Sequence, residues 1–451
     1  MTTHARHRQR QGNTCRARGT ARQKQAAKKS GYREPMKILH TSDWHLGRAL
    51  LGQKRHAEFE AFLDWLTATV CSERVDVLLV AGDIFDSGTP GNRDQQMYFT
   101  FLARMTATCC RHVVVVAGNH DSPSFLAAPG DLLRSLSIHV TGSAGSPEDE
   151  VLVLRNARNA PELIVCAVPY LRDRDIRTVE AGESVDDKER KLVQGIRAHY
   201  EQVAALAVRR REELAAEAGG RLPIVGTGHL FAAGGKTVEG DGVRELYVGS
   251  LLHVSASIFP DSFDYLALGH LHLPQTVGGH EHIRYSGSPL PMGFGEAGQQ
   301  KSVCLVEVAH DTPVRVRLLP VPVFRHLERI RGDWEHIARR IGELKEAGSP
   351  VWLEIVYTGH AVMGDLGRQV DAAVSGSNLR VCRTDNLNAR QAALHSVHPG
   401  ETLDDLSVTD VFRRCLRAHN VPEEQHAELL RTYSEALAAL DDPQPHSGDR
   451  A

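Results

Sequence analysis

Short apolar runs alternate with amphipathic stretches along much of this 451-residue chain. Val75–Val80 and His112–Val116 are apolar at almost every position, which is typical of strands buried on both faces of a sheet. Arg55–Glu73 and Met97–Met105 instead carry apolar residues at helical spacing, so each predicts an amphipathic helix. The alternation of the two patterns predicts an α/β fold in which helices connect buried strands.

The same alternation continues to about residue 310. Asp186–Ala218 predicts a long helix, since its apolar residues recur at helical spacing and most other positions are charged. These elements indicate one large α/β domain over residues 36–320. Its further strands are predicted at Lys37–His40, Leu163–Val168, Ile224–Thr227, Tyr265–Leu268, Ile283–Ser286 and Val303–Val308.

The pattern changes after a proline-rich stretch, Leu319–Phe324, which resembles a linker. Beyond it, Trp334–Glu346 predicts a helix and Val351–Tyr357 predicts a strand. Residues 321–400 are therefore expected to form a small separate α/β domain.

The end of the chain has a helical pattern. Ser407-Val-Thr-Asp410 matches a capping box, and a second helix is expected to begin at Pro422. Residues 401–440 are thus predicted to form a terminal helix pair. Residues 441–451 contain prolines and aspartates and are expected to be disordered.

Composition is that of a globular protein, with 41% hydrophobic and 24% charged residues. No apolar run approaches the roughly 18–20 residues that a membrane-spanning helix needs, and residues 1–35 lack a secretory signal. The eight cysteines show no spacing typical of a disulfide framework. We therefore expect a cytoplasmic protein without membrane contact.

Charge is distributed unevenly along the chain. Residues 1–35 contain ten lysines and arginines and one acidic residue, whereas the rest of the chain has a net charge of −12. The basic segment could bind nucleic acid, but a disordered extension or a misassigned start is favoured, because a strand is predicted to begin at Met36. Affinity for nucleic acid comes mainly from neutralising phosphates, so an acidic body does not indicate it. Any DNA contact must then use a local basic groove, bound metal ions or a partner.

Residue types that bind metals follow five of the predicted strands. Strand ends in an α/β fold meet at one edge of a sheet, so these side chains are expected to converge. Carboxylate, amide and imidazole groups together suit divalent metals, and their number is enough for two ions. The clusters are Asp43-Trp-His45, Gly82-Asp83-Ile-Phe-Asp86, Gly118-Asn119-His120-Asp121, Gly228-His229 and Gly269-His270-Leu-His272.

Two such ions activate water and neutralise a phosphate, which is the chemistry of a metal-dependent phosphoesterase. A pair of ions usually shares one bridging carboxylate, and Asp83 is the candidate. The other ligands divide into Asp43, His45 and one of the late histidines His270 and His272 for one ion, and Asn119, His229 and the other late histidine for the second.

His120 lies beside a proposed ligand without having to be one itself. Its position suits a proton donor to the leaving oxygen or a group that stabilises the charged transition state. Asp86 follows the proposed bridging residue Asp83 by three positions. Its carboxylate is therefore a candidate to orient the imidazole of His120 and to raise its pKa.

The order DxH, GDxxD, GNHD, GH and GHxH resembles that of the calcineurin-like metallophosphoesterase superfamily. Within it, the chain is most similar to the SbcD nuclease family, strongly over about residues 36–320 and more weakly beyond. The resemblance is carried by His40-Thr-Ser-Asp-Trp-His-Leu-Gly47, Ala81-Gly-Asp-Ile-Phe-Asp86, Ala117-Gly-Asn-His-Asp121, Leu268-Gly-His-Leu-His272 and Tyr285-Ser-Gly-Ser-Pro289.

The resemblance implies a two-sheet β-sandwich flanked by helices, with two manganese ions, or magnesium ions, at one rim. It implies that His120 is catalytic. It also implies a capping or DNA-binding role for residues 321–400. The implied ligand sets are Asp43, His45, Asp83 and His272 for one ion, and Asp83, Asn119, His229 and His270 for the other.

Family membership further implies a dimer of nuclease subunits joined to two SbcC-type ATPase subunits, acting on double-stranded DNA ends and hairpins. The absence of a GxxxxGK[ST] pattern from this chain agrees with an ATPase on a separate subunit. The terminal helices, Thr409–Leu440, are the expected docking site for that partner. Arg48, Lys54 and Arg55 are the candidate phosphate contacts, because they follow the first ligand loop.

Two alternatives are consistent with parts of the pattern. A phosphatase or phosphodiesterase for small substrates or proteins would use the same metal motifs, although it would not need the long C-terminal extension. A DNA-end scaffold without catalytic activity is disfavoured, since every expected ligand type is present.

Overall fold

The computed structural model divides into two compact units after Phe324. Of the predicted segments, the basic extension 1–35 and the tail 441–451 lie outside the described residues except for one residue each, and the capping box at Ser407 lies outside them except for Thr409. The described residues are 35–177, 183–232, 254–309, 312–348, 350–359, 363, 365–387, 409, 412–413, 416–417 and 421–441.

Strands of the first unit form two six-stranded sheets and a small hairpin. They are β1 (Met36–Thr41), β2 (Ala49–Leu50), β3 (Gln53–Lys54), β4 (Val77–Ala81), β5 (His112–Val116), β6 (Ile138–Thr141), β7 (Val151–Arg155), β8 (Pro161–Cys166), β9 (Ile224–His229), β10 (Tyr265–Gly269), β11 (Gln275–Val277), β12 (His280–Tyr285), β13 (Ser302–Ala309) and β14 (Thr312–Pro320). Strand order is β14-β13-β1-β4-β5-β6 in one sheet and β11-β12-β10-β9-β8-β7 in the other.

Parallel pairing dominates the centre of both sheets. β1, β4, β5 and β6 run parallel in the first sheet, and β8, β9, β10 and β12 run parallel in the second. The helices of this unit are α1 (His56–Glu73), α2 (Asn92–Met105), α3 (Pro123–Ala127), α4 (Gly130–Ser135), α5 (Pro147–Glu150), α6 (Asp173–Ile176) and α7 (Val185–Ala218).

Three apolar layers hold this unit together. Between the sheets, Val114 and Val165 belong to one buried cluster with Tyr265. Outside the first sheet, α1 and α2 contribute a second buried cluster that includes Phe62 and Phe101. A third cluster packs α7 against the second sheet. The prediction of a two-sheet sandwich flanked by helices is therefore confirmed.

The second unit contains a three-stranded parallel sheet in the order β15-β16-β17. Its core is apolar and includes Ile341, Leu353 and Ile355. No helix among the described residues is long and apolar enough to cross a membrane. The elements of this unit are β15 (His326–Gly332), α8 (Trp334–Glu346), β16 (Val351–Tyr357), α9 (Leu366–Val374), β17 (Arg380–Asn386) and α10 (Glu423–Asp441).

Candidate metal centre

The predicted metal-binding residues follow, or end, five parallel strands of the two sheets. In the first sheet they follow β1, β4 and β5, which pair with one another in parallel. In the second sheet His229 is the last residue of β9, and His270 directly follows the neighbouring β10. Because all these strands run parallel within their sheets, their carboxyl ends lie at one edge of the sandwich.

The backbone bends sharply at several of these positions. Asp43, His45, Asp83 and His270 have φ angles of 54°, 48°, 51° and 102°. Such left-handed conformations cost on the order of 1–3 kcal/mol for a residue other than glycine. Hydrogen bonds between the loops hold them in place, since Asp43 N donates to Gly82 O at 3.0 Å and His45 N donates to Asp83 O at 3.0 Å.

Two glycines allow the loops to approach one another. A Cβ atom at Gly82, whose φ is 91°, would lie 2.2 Å from His229 Nδ1. A Cβ atom at Gly118 would lie 2.1 Å from Asp83 Oδ1. Each distance is far below a van der Waals contact, so only glycine fits at these two positions.

A first set of ligand atoms gathers around Asp43, His45 and His272, whose donor atoms all lie within 4.8 Å of one another. The Nε2 atoms of His45 and His272 are 3.2 Å apart. Asp83 Oδ2 lies 3.5 Å from His45 Nε2. The donor atoms of these three buried residues are therefore close enough to bind a single metal ion beside Asp83.

A second set gathers on the other side of the same carboxylate. His229 Nε2 lies 3.3 Å from Asp83 Oδ2 and 2.9 Å from Asn119 Oδ1. His229 Nδ1 donates to Ala81 O at 3.0 Å, which leaves Nε2 to face the site. The ring of His270 lies 5.4 Å from that of His229, measured between centroids, and its buried Nε2 has no hydrogen-bond partner among the residues that the structure describes.

These atoms fit divalent cations. Buried nitrogen and oxygen acceptors face one another at about hydrogen-bond distance, and an unpartnered buried imidazole nitrogen is costly unless a ligand satisfies it. Imidazole, carboxylate and amide groups are the ligand types of transition-metal sites. Asp83 Oδ2 lies near both sets, which is the place of a bridging carboxylate between two ions.

The charges of the site also favour a cation. Burial lowers the pKa of His45 to about 4 and holds that of His270 well below its usual value, so both imidazoles are neutral and able to bind a metal. Burial opposes ionisation of Asp83 and protonation of His229, but their mutual attraction prevails. It holds the pKa of Asp83 well below its usual value and raises that of His229 to about 9. The negative charge of Asp83 therefore favours a positive charge at this position.

His120 lies beside this site and is also buried. Its Nε2 is 4.0 Å from Asp83 Oδ2, and its backbone N donates to Asp83 Oδ1 at 2.9 Å. Its Nδ1 donates to the backbone carbonyl of Asp86 at 2.8 Å. One ring nitrogen is therefore fixed, and the other is directed toward the centre.

The position of Asp86 differs from the prediction in one respect. The sequence predicts that its carboxylate orients His120, but it is the backbone carbonyl that does so. The carboxylate instead faces His45 Nδ1 at 3.4 Å and accepts from Arg48 at 3.0 Å. The sequence could not reveal this exchange, because it depends on how the loop after β4 turns.

Asp121 ties the ligand loops together, a role that its position in the sequence does not predict. Its carboxylate accepts from the backbone N–H groups of Gly118 at 2.8 Å, Phe85 at 2.9 Å and Ile84 at 3.1 Å. Burial and the charge of Asp83 raise its pKa to about 7. Its presence in the GNHD motif is the available signal, although the motif does not show which groups it contacts.

The Tyr285-Ser-Gly-Ser-Pro289 segment anchors three ligand loops. Tyr285 Oη donates to Leu230 O at 2.7 Å, next to His229. Ser286 Oγ lies 2.8 Å from Ser42 Oγ, which in turn donates to the carboxylate of Asp43. Ser288 N donates to His272 O at 3.1 Å. The segment therefore positions three of the predicted ligand loops through hydrogen bonds.

The three candidate phosphate contacts have different surroundings. Lys54 is exposed at the end of the β2–β3 hairpin, and Arg48 is partly exposed beside Asp86. Arg55 does not fit its expected role, because it is buried, pairs with Glu58 and donates to Pro291 O at 2.6 Å. Its sequence position next to Lys54 gives no indication that the chain turns inward there.

Residues 36–274 match the family described as calcineurin-like phosphoesterase. Residues 323–420 match the family SbcD_C, described as the type 5 capsule protein repressor C-terminal domain. The fold and the His/Asp cluster together are therefore those of a calcineurin-like phosphoesterase, and the cluster fits two divalent metal ions.

Three relatives make the assignment more specific. The SbcD subunit of the nuclease SbcCD from Escherichia coli strain K12 is 36% identical over 407 residues, covering 90% of this chain and 98% of that protein. The protein of the same name from Rhodobacter capsulatus is 36% identical over 64% of this chain and 70% of its own length, and that from Bacillus subtilis is 34% identical over 60% and 66%. The chain belongs to the SbcD family and is a metal-dependent nuclease subunit, a hydrolase.

Proposed function

We propose that this protein hydrolyses phosphodiester bonds at double-strand DNA ends and hairpins, as the nuclease subunit of a complex with an SbcC-type ATPase. The observation that carries the proposal is the position of Asp83. Its carboxylate oxygen lies 3.5 Å from His45 Nε2 and 3.3 Å from His229 Nε2, between two sets of proposed ligands that are buried except for the partly buried Asn119. This arrangement matches the centre that an in-line displacement at phosphorus requires.

In this proposal Asp83 belongs to both ligand sets. We infer manganese rather than magnesium, because four of the ligands are imidazoles and magnesium prefers oxygen ligands. When bound, the two ions supply an activated water molecule and neutralise charge on the phosphate. The proposed ligands are Asp43, His45, Asp83 and His272 for one ion, and Asp83, Asn119, His229 and His270 for the other.

His120 is the proposed catalytic residue that protonates the leaving oxygen or stabilises the transition state. The Asp86 carbonyl, 2.8 Å from His120 Nδ1, keeps that nitrogen protonated and directs Nε2 toward the phosphate position. Asp86 thereby acts through its backbone on His120 and through its carboxylate on His45 Nδ1, 3.4 Å away.

The proposed partner surface is the helical segment 401–440. Its described part includes α10, along which Leu429 is exposed and most neighbouring positions are exposed as well. The rings of Phe412 and Tyr433 stack at 4.0 Å between centroids, so part of the helix pair is already packed. An amphipathic helix that exposes a leucine suits docking against the apolar surface of a coiled coil.

DNA contacts are proposed at two places. In the nuclease domain, 36–320, Lys54 and Arg48 lie close in sequence to the ligand His45. In the capping domain, 321–400, exposed arginines lie on β15 and β17, where Arg329 and Arg383 flank Glu354 on β16. Exposed arginines on paired strands can neutralise successive phosphates.

The full assembly in this proposal contains two copies of this chain and two ATPase subunits, and it works on DNA in the cytoplasm. The ATPase would supply much of the DNA-binding surface, because residues 36–451 of this chain carry a net charge of −12.

An end-labelled digest tests the proposal. Linear duplex and hairpin DNA are incubated with manganese and this protein, with and without an SbcC-type ATPase and ATP, and a small chromogenic phosphodiester is assayed in parallel. We expect DNA cleavage that depends on manganese and is greatly stimulated by the partner. Fast hydrolysis of the small ester with no DNA cleavage in the presence of the partner would contradict it.

A further inference from the structure

A buried ion pair lies directly behind His272. Glu296 and Lys301 are both almost fully buried, and Lys301 Nζ donates to Glu296 Oε2. The same carboxylate oxygen accepts from Met292 N at 3.1 Å. A buried charge pair is expensive to desolvate, so its presence is weak evidence for stability.

Lys301 ties this pair to the backbone of the ligand loop. Its Nζ donates to His272 O at 3.0 Å and to Ser288 Oγ at 3.1 Å. Ser288 N donates to the same His272 carbonyl at 3.1 Å. The backbone of His272 is therefore held by the ammonium group that also holds Glu296.

The second oxygen of Glu296 faces the imidazole of His272. Glu296 Oε1 lies 3.4 Å from His272 Nδ1 and makes no hydrogen bond to another group within the described parts of the chain. The opposite nitrogen, Nε2, lies 3.2 Å from His45 Nε2 inside the first ligand set. A carboxylate on Nδ1 favours a proton at that nitrogen and leaves the lone pair of Nε2 for a metal ion.

We propose that Glu296 is a positioning residue that fixes the tautomer and orientation of His272, and that Lys301 holds Glu296 in place for this task. The inference rests on the proposed two-ion site. Carboxylates behind a metal-binding imidazole typically change metal affinity by about 10–100-fold.

The effect is confined to one ion. Of the other ligands, His45 is backed by the carboxylate of Asp86, whereas His229 donates to the carbonyl of Ala81. Neither contact involves Glu296 or Lys301. Removing Glu296 therefore weakens the ion bound by His272 and leaves the ion bound by His229 in place.

The test is a manganese titration of the full-length, metal-stripped protein by calorimetry, with manganese electron paramagnetic resonance as a second readout. The main variant is the double substitution Glu296→Leu with Lys301→Met, which removes both charges and leaves neither one buried and unpaired. We expect one of two binding steps to weaken by about 10–100-fold and the other to stay unchanged. Unfolding temperatures of the metal-free proteins are measured alongside.

Glu150→Gln is the matched control. Glu150 is a buried carboxylate that accepts from His199 Nε2 at 2.8 Å, and neither residue belongs to a ligand set. We expect this control to lower stability without changing either manganese affinity. If the double variant fails to fold, Glu296→Gln is combined with Lys301→Met; this pair removes both charges and keeps an acceptor beside His272, so a smaller loss at the same binding step is expected.

Three outcomes separate the possibilities. Selective loss of one binding step in the Glu296 variants, with both steps intact in the control, supports the inference. Unchanged affinities in a folded Glu296 variant overturn it and leave the proposed function standing. A wild-type protein that binds no manganese refutes the proposed function and this inference together.

Discussion

Both units of this protein join parallel strands by helices, but they use their strand ends differently. In the first unit, buried carboxylates and imidazoles gather where the strands end. In the second unit, the core is apolar and Glu354 is the buried charged side chain among its described residues. All non-glycine residues with positive φ in the described parts of the chain lie in the first unit.

The difference shows that parallel strands alone do not make a functional site. They bring loops together, and the residues in those loops decide whether a site forms. Parallel strands bring loops together in both units, yet among the described residues it is the first unit whose loops hold Asp43, Asp83 and His270 in left-handed conformations. Those conformations and buried charges oppose folding, and they persist because the surrounding hydrogen bonds and apolar layers outweigh them. Among the described residues, buried charged groups at strand ends are therefore a feature of the first unit.

The largest expected effect is on catalysis. His120→Asn removes the imidazole beside Asp83 but no proposed ligand, so turnover should fall by about 10²–10⁴-fold while both manganese ions still bind. Cleavage rates and manganese titrations on the same preparation check this. Unchanged cleavage would remove His120 from the mechanism, and loss of an ion would make it a ligand instead.

A core substitution in the second unit should act on stability alone. Ile341→Ala deletes buried methyl groups between α8 and the small sheet, so stability of that unit should fall by about 2–5 kcal/mol. Chemical denaturation measures the loss, and calorimetry measures manganese binding. Weaker manganese binding in this variant would break the contrast between the two units.

A substitution of a proposed ligand in the first unit should raise stability and weaken manganese binding. Burial raises the pKa of Asp43, so at pH 7 the folded protein holds a carboxylate whose ionised form is disfavoured relative to the unfolded chain. Asp43→Asn removes this cost. We expect the unfolding temperature of metal-free protein to rise by a few degrees while one manganese ion binds more weakly.

Differential scanning calorimetry of chelator-treated protein gives the first quantity, and manganese titration gives the second. A lower unfolding temperature for Asp43→Asn would show that this carboxylate stabilises the fold. In that case the idea that the first unit sacrifices stability for its site would be wrong.

The smallest expected effect concerns the surface beside the site. Lys54→Gln should weaken binding of duplex DNA modestly. It should also reduce the slope of the logarithm of the binding constant against the logarithm of salt concentration by about one, as expected for the loss of one phosphate contact. Arg158→Gln is the control, because Arg158 is exposed in the turn between β7 and β8. Equal effects of the two substitutions would argue against a DNA contact at Lys54.

Much of the fold could be predicted where burial dictates the sequence pattern. His112–Val116, Trp334–Glu346 and Val351–Tyr357 have the predicted bounds, since each is a buried strand or a strongly amphipathic helix. The edge strands β7 and β14 were not predicted. Both are only partly buried. The apolar run of β7 covers just Val151–Leu154, and arginines and prolines interrupt the apolar residues of β14.

The part of the site that could be predicted consists of residues at or just after the ends of predicted strands. Asp83 and His229 converge because parallel strands deliver them to one edge. Glu296 and Lys301 were not predicted, because in the sequence they are ordinary charges near glycines and a loop carries them into the interior. The sequence also does not predict that the carbonyl of Asp86 orients His120, because backbone groups leave no pattern in a sequence.

The most direct test of the central claim is anomalous diffraction at the manganese edge from crystals grown with manganese. We expect two peaks in the first unit, with the carboxylate of Asp83 bound to both. A single peak, or a second peak that Asp83 does not touch, would contradict the shared two-ion centre.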